Sequence, residues 1–405
     1  MVVFELTGAV ENGKLKLRHR QKSLGSKTLS RAQQSGKLKA KLPGRWLSHV
    51  KKHKRAKVAR KARLRVKKPK PGGVTVGSGL RVGLVTNAVG SGMSSSVPLD
   101  KAAPTGAKWL REDFEWSKIE PQNDAWKWDV TDNLLIEAAK RNVHILPVLI
   151  DTPSWAGSAW NAIPSDPSEY AEYSSKVAER YGPGGSFWQA HPDIASFAPE
   201  YFELWNEPYL NEFSAGGIDP GRYARLVKAA ASAGHSSNPA AKYLLAAEQA
   251  PSGDRNTFID GMYSAVPDLN SYFDAVAVHP YSPGSSPDQL KDGWGFTERL
   301  DAIRAKLVAH GAQAKPLWVT EIGWSTCPSS ADCVSEQKQA AYLARTLELL
   351  STKYSGYVRA AFVYCRTDLN DHPSDAYGWY GLQRLDGSHK PVFDVFHQAA
   401  VTAAA

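Results

Sequence analysis

Acidic residues are nearly absent from the first 72 positions: Glu5 and Glu11 stand against 23 Lys+Arg. Cysteine is scarce throughout, at three residues in 405. No His or further Cys stands at ligand spacing from Cys327 and Cys333, and Cys365 lies in an apolar run, so no metal and no cofactor are expected. No stretch approaches the roughly 18–20 apolar residues of a membrane span. The first residues, Met1-Val2-Val3-Phe4-Glu5-Leu6, lack the basic start and apolar core of a signal peptide. A dinucleotide fingerprint is also missing: Asn87-Ala-Val-Gly90-Ser91-Gly92 lacks its last glycine and a ribose-binding acid downstream.

What is present divides by charge. The formal net charge of +10 separates into +21 over residues 1–72 and −11 over residues 73–405. A uniformly basic, nucleic-acid-seeking body is thereby excluded. The basic N-terminal arm, residues 1–72, ends in the linker-like Lys67-Lys68-Pro69-Lys70-Pro71-Gly72. Its Asn12-Gly13 separates two short β-like runs, the signal of a hairpin or a small β remnant. Such an arm can hold a protein to an anionic surface or polymer, or serve as a solvated spacer; nucleic acid is the less favoured partner. Thirteen Trp and sixteen Tyr demand a packed core or a set of ligand platforms.

From residue 79 onward one theme repeats: an apolar β-forming run, a polar loop, then a segment with helical spacing. The runs are 80–86, 108–111, 143–150, 201–205, 243–247, 273–278, 317–320 and 358–364. Helices are expected between them, including 131–141, 167–181, 220–233, 297–310 and 335–353. Eight alternations predict an α/β fold, a (β/α)8 TIM barrel over residues 73–405.

A barrel directs attention to polar residues just past the C-terminal ends of strands. Strand four ends in Trp205-Asn206-Glu207-Pro208, strand seven in Thr320-Glu321-Ile322-Gly323-Trp324, strand six in His279-Pro280-Tyr281 and strand two in Arg111. Glu207 and Glu321 can face each other across the barrel mouth, the arrangement that glycoside cleavage requires. Either acid alone is equally explained as a helix cap or an arginine partner. Asn206 can bond a sugar hydroxyl, and Arg111 can keep a nearby carboxylate ionised.

These motifs carry a resemblance. Residues 79–400 are similar to clan A glycoside hydrolases, most of all to families 39 and 5, through the Asn-Glu-Pro of strand four and a second Glu 114 residues later. The resemblance implies a retaining hydrolase of β-linked oligo- or polysaccharides, with Glu207 as acid/base and Glu321 as nucleophile. The role of Glu207 leads to the expectation of a raised carboxyl pKa, and that of Glu321 to an ionised carboxylate beside Arg111 and Tyr281. A binding-only carbohydrate barrel, or a polyanion-binding protein acting through the arm, are the alternatives.

Family 5 members generally present a Trp at the end of strand eight, where this chain has Tyr364; Tyr364 or Trp379 is expected in its place. Trp155 and Trp324, in loops after strands three and seven, are further candidates for stacking on sugar, while Trp109, Trp205 and Trp318 read as packing. Asp113, Glu115 and Glu248 lie where they can line the rim or be solvated. Cys327 and Cys333, six positions apart in a polar loop, can close a disulfide or remain free thiols. An extracellular or cell-surface location is expected.

Overall fold

The chain divides into two compact units, residues 1–72 and 73–405. The structure, a computed structural model, describes residues 79–86, 99–369 and 375–403 in full, and the backbone alone of 96–98 and of five short strands within residues 1–72. In the first unit Thr7–Glu11 pairs antiparallel with Lys14–His19, which pairs with Lys22–Thr28. The expected linker, the loop 87–92 and the side chains that would meet an anionic partner of residues 1–72 lie outside the described residues.

In the second unit eight parallel strands close into a barrel: β1 (Arg81–Val85), β2 (Trp109–Glu115), β3 (His144–Ile150), β4 (Tyr201–Leu204), β5 (Lys242–Ala246), β6 (Ala275–Val278), β7 (Leu317–Ile322) and β8 (Val358–Val363). Each matches an apolar run of the sequence. β2 reaches further than its run, because Trp109 to Glu115 pairs without a break against His144 to Ile150. The acids of Glu112-Asp113-Phe114-Glu115 are therefore strand residues. β7 likewise extends through Glu321, with a register irregularity against β8 between Val319 and Ile322.

The helices pack outside the barrel for the reason their spacing implies. Ser168–Tyr181 buries Tyr170, Ala171, Tyr173, Ser174, Val177, Ala178 and Tyr181, one apolar stripe at helical period. Pro220 opens its helix behind Asp219, whose carboxylate accepts from the Arg222 N–H at 2.8 Å. Three buried helix tyrosines also reach the site-bearing ends of the strands. Tyr173 donates to the Phe114 carbonyl at 2.5 Å, Tyr170 to that of Leu149 at 2.6 Å and Tyr223 to that of Leu204 at 2.7 Å. They satisfy carbonyls where β2, β3 and β4 leave the ladder.

The barrel interior is plugged below the mouth by Trp109, Leu146, Leu244, Trp318 and Phe362, with Ala275, Ala277 and Ala360 between them. The Arg81 guanidinium lies 5.3 and 5.5 Å from the Trp109 and Trp318 ring centres. Large rings fit because small residues face them. A Cβ on Gly83 would come within 2.4 Å of the Phe362 ring. Substituting Gly83→Val should therefore overpack this layer and cost roughly 1–3 kcal/mol in urea unfolding, with the smaller Gly83→Ala losing less.

Candidate active site

Inward-facing residues of a strand recur at every second position. On β2 that row reads Trp109, Arg111, Asp113, Glu115, rising from the apolar plug to the mouth. On β4 it reads Tyr201 then Glu203, and on β7 Trp318 then Thr320. Glu321 would fall on the outward row with Val319; the irregularity in β7 re-aims it into the mouth. Glu207 follows β4 through a backbone that turns at Trp205 (φ 68°) and is itself at φ 41°. Non-glycine residues adopt such angles only where surroundings hold them. Trp205 is held by complete burial and by its indole N–H, which donates to the Phe213 carbonyl at 2.8 Å.

Arg111 organises the centre. Its Nε and Nη2 grip the two oxygens of Glu203 at 2.8 and 2.9 Å, Nη2 also reaches Asn206 Oδ1 at 2.7 Å, and Nη1 reaches Glu321 Oε1 at 2.7 Å. Burial opposes the guanidinium charge, but Glu203 and Glu321 outweigh it and hold the pKa above its ordinary value. The second oxygen of Glu321 accepts from the Tyr281 hydroxyl at 2.8 Å. Burial, with Glu321 adding, keeps that phenol protonated and donating.

Glu207 meets His279, whose Nδ1 lies 2.9 Å from Oε1 and whose Nε2 lies 3.0 Å from the Thr320 hydroxyl. Thr320 in turn donates to Glu203 at 3.2 Å. The expected raised pKa of Glu207 is overturned here. Burial does push it up, but the His279 hydrogen bond and the charges of His279, Arg111 and Arg299 hold it below the usual carboxylate range. His279 moves the other way: burial lowers it, and Glu321 and Glu207 raise it above an ordinary imidazole. Both shifts favour a Glu207 carboxylate beside a protonated imidazole.

A cavity of about 770 Å³ opens beside this centre, lined by Arg111, Asn206, Glu321 and Tyr364 from the core of the site. His279 and Tyr281 adjoin it through Glu321, and Glu207 through His279. Tyr364 thus stands where the sequence placed it. The tryptophans do not. Trp324 is buried, with its N–H donating to the Ser285 carbonyl at 2.8 Å. Trp155 packs edge-on against Trp116 and donates to the Glu120 carbonyl at 2.9 Å. The Trp379 carbonyl is tied by Thr326 and Lys390, and its ring is not among the cavity walls. The Trp324 and Trp155 indoles complete loop packing instead of offering a face. The rim aromatic is Trp160, half exposed in the loop after β3, with Phe213 beside it.

Glu203 and Trp160 went unread in the sequence. An acid on the inward row of an otherwise apolar strand was the available signal for Glu203; nothing local distinguished Trp160. Glu248 is fully buried against Arg299, whose Nη1 donates to the Tyr281 carbonyl at 2.6 Å, so it supports β6 from behind the cleft. Cys327 and Cys333 form a disulfide, and among the described residues no His, Cys, Asp or Glu cluster suits a metal.

A closed parallel barrel with two carboxylates gathered at its C-terminal mouth defines an O-glycosyl hydrolase. The chain belongs to glycosyl hydrolases family 39, whose family model matches residues 195–402. No curated protein matches the sequence. Among solved structures the fold is similar to a family 39 glycoside hydrolase of Bacteroides cellulosilyticus at 17% identity and TM-score 0.57, covering 96% of this chain and 69% of that one. It is also similar to a family 39 β-xylosidase of Caulobacter crescentus at 19% identity and TM-score 0.58, covering 79% and 70%. A family 39 enzyme of Xanthomonas axonopodis pv. citri follows at 18% and 0.54, covering 80% and 67%.

Removing Glu203 leaves the Arg111 charge buried with two of its four side-chain hydrogen bonds gone. Glu203→Ala should cost about 3–5 kcal/mol in chemical denaturation, several times the loss for an exposed pair such as Lys228–Asp268.

Proposed function

We propose that the chain is a retaining glycosidase acting on β-linked oligo- or polysaccharides, with Glu321 as nucleophile and Glu207 as general acid and then base. One observation carries the reading: a single imidazole nitrogen, His279 Nδ1, stands 2.9 Å from Glu207 Oε1 and 3.9 Å from Glu321 Oε2. Those oxygens are therefore at most about 7 Å apart, which favours the roughly 5–5.5 Å of retention over most of the roughly 6.5–9.5 Å range of inversion.

In the first step Glu321 attacks the anomeric carbon while Glu207 protonates the departing oxygen. That proton comes from the pair: His279 passes it from Nδ1 to Glu207 as substrate displaces water, and keeps its Nε2 proton toward Thr320. Asn206, whose oxygen is taken by Arg111, has its amide nitrogen available for the sugar 2-hydroxyl. In the second step Glu207 takes a proton from water, which opens the glycosyl ester at Glu321. The Cys327–Cys333 disulfide supports work at the cell surface or outside it. The charge of residues 1–72 supports retention on an anionic polymer.

A panel of 4-nitrophenyl β-glycosides tests the chemistry. Glu321→Ala and Glu207→Gln should each lower kcat by about three orders of magnitude or more with the fold retained, and azide should rescue Glu321→Ala as the inverted glycosyl azide. Near-normal turnover in either variant would remove that residue from the mechanism. His279→Ala should move the alkaline limb of kcat/KM, since the limb then reports Glu207 without the imidazole that lowers its carboxyl; an unmoved limb would exclude proton sharing.

A further inference from the structure

The catalytic core uses only one end of the cavity. The rest is walled by the upper inward row of β2, Asp113 and Glu115, by Ser117 and Asp151, and by the loop after β3 that carries Trp160. Two of these groups lack a structural task. Asp113 accepts no hydrogen bond from any described residue, although it sits two positions above Arg111 on the same face. Glu115 is paired with Lys118 and Asp151 with Ser117, so Asp113 is the acceptor left over. Trp160 has 54% of its surface exposed, yet its backbone is pinned. Its carbonyl accepts from the Thr152 N–H at 2.8 Å, and the adjoining Asn161 is tied to the loop after β4 through its carbonyl to Ala215 N at 3.0 Å and its amide to the Glu212 carbonyl at 2.9 Å. An exposed indole on a fixed backbone loses little freedom when a ring stacks on it.

We propose that Asp113 and Trp160 form a sugar-binding wall beside the reacting bond, built for uncharged glycosyl units whose hydroxyls donate to Asp113 and whose apolar face lies on the Trp160 indole. The proposal rests on the glycosidase reading above and adds a substrate class to it. A carboxylate acceptor suits hydroxyl donors, because a charged acceptor makes the stronger hydrogen bond. It repels a uronate, and Asp151 on the same wall adds to that repulsion, while of the nearby cations Lys118 is paired with Glu115 and Arg111 is already shared by Glu203 and Glu321. A cavity of about 770 Å³ also lies within the roughly 300–1,000 Å³ that encloses a ligand larger than one sugar ring.

The ionisation of Asp113 gives the wall a signature in pH. Burial pushes its carboxyl up to about 6, against Arg111, with Glu115, Glu321 and Glu203 adding to the rise. Facing it from the other elements are Tyr364 after β8 and Asp151 after β3. Below that pH the protonated acid ceases to be a full acceptor, so substrate capture weakens as pH falls.

Kinetics on the best aryl glycoside of the panel, on a tetrasaccharide of the same sugar and on 4-nitrophenyl β-glucuronide test this. Asp113→Asn should lower kcat/KM by about 10- to 100-fold, chiefly through KM, and remove the acid limb near pH 6. It should also narrow the preference for the neutral glycoside over the glucuronide by about tenfold. Trp160→Ala should cost about tenfold more on the tetrasaccharide than on the aryl glycoside. The proposal falls if both variants stay within about twofold of wild type on every substrate, or if the glucuronide is the preferred one. The wild type and Glu321→Ala separate the two readings: if Glu321→Ala is inactive while these variants are unaffected, only the wall is wrong; if Glu321→Ala is active, its role as nucleophile fails; and if the wild type cleaves no glycoside of the panel, the glycosidase reading fails and the wall with it.

Discussion

One buried guanidinium holds the site together. Arg111 rises from β2 and is answered from β4 by Glu203 and Asn206 and from β7 by Glu321, so three strands are joined at a single charge. A buried cation costs several kcal/mol of lost hydration, and only a full set of well-placed acceptors offsets it. Here that set includes the proposed nucleophile. The same contacts that make the arginine tolerable in the interior also set where Glu321 can lie, and stability and chemistry cannot be separated at this point.

A second coupling runs through His279. It touches Glu207 on one side and, by way of Thr320, the Glu203 that anchors Arg111 on the other. A lone buried Glu207 would hold its proton tightly; beside an imidazole raised by two acids it gives it up. In the proposed mechanism, His279 Nδ1 is then the source of the proton that Glu207 delivers. Burial or like charge would raise Glu207, but burial is outweighed by a neighbour seventy-two residues distant in sequence.

Much of the architecture was legible. Eight apolar runs each became a strand, and the polar residues ending runs two, four, six and seven met at one mouth, because a parallel barrel sends all its strand ends the same way. Less legible was which aromatic faces a ligand. Trp324 and Trp155 lie in rim loops as expected, yet their indole N–H groups found buried carbonyls, and a satisfied indole turns inward. Trp160 found no such partner and stays at the surface. Loop composition does not encode that choice, which depends on the carbonyls left open by neighbouring loops.

By itself the chain's pattern of apolar runs, helical stripes and strand-end acids determined the barrel and the family, and it pointed to the two carboxylates proposed for the chemistry. Those depend on local period and on residue type, which are written in order along the chain. The tertiary structure decided three other things. It turned Glu321 inward through an irregularity in β7, it set His279 Nδ1 2.9 Å from Glu207, and it left Asp113 and Trp160 facing the cavity. Each depends on distances between residues far apart in sequence, and the energy of a charge or an indole is set by what stands within a few ångströms of it.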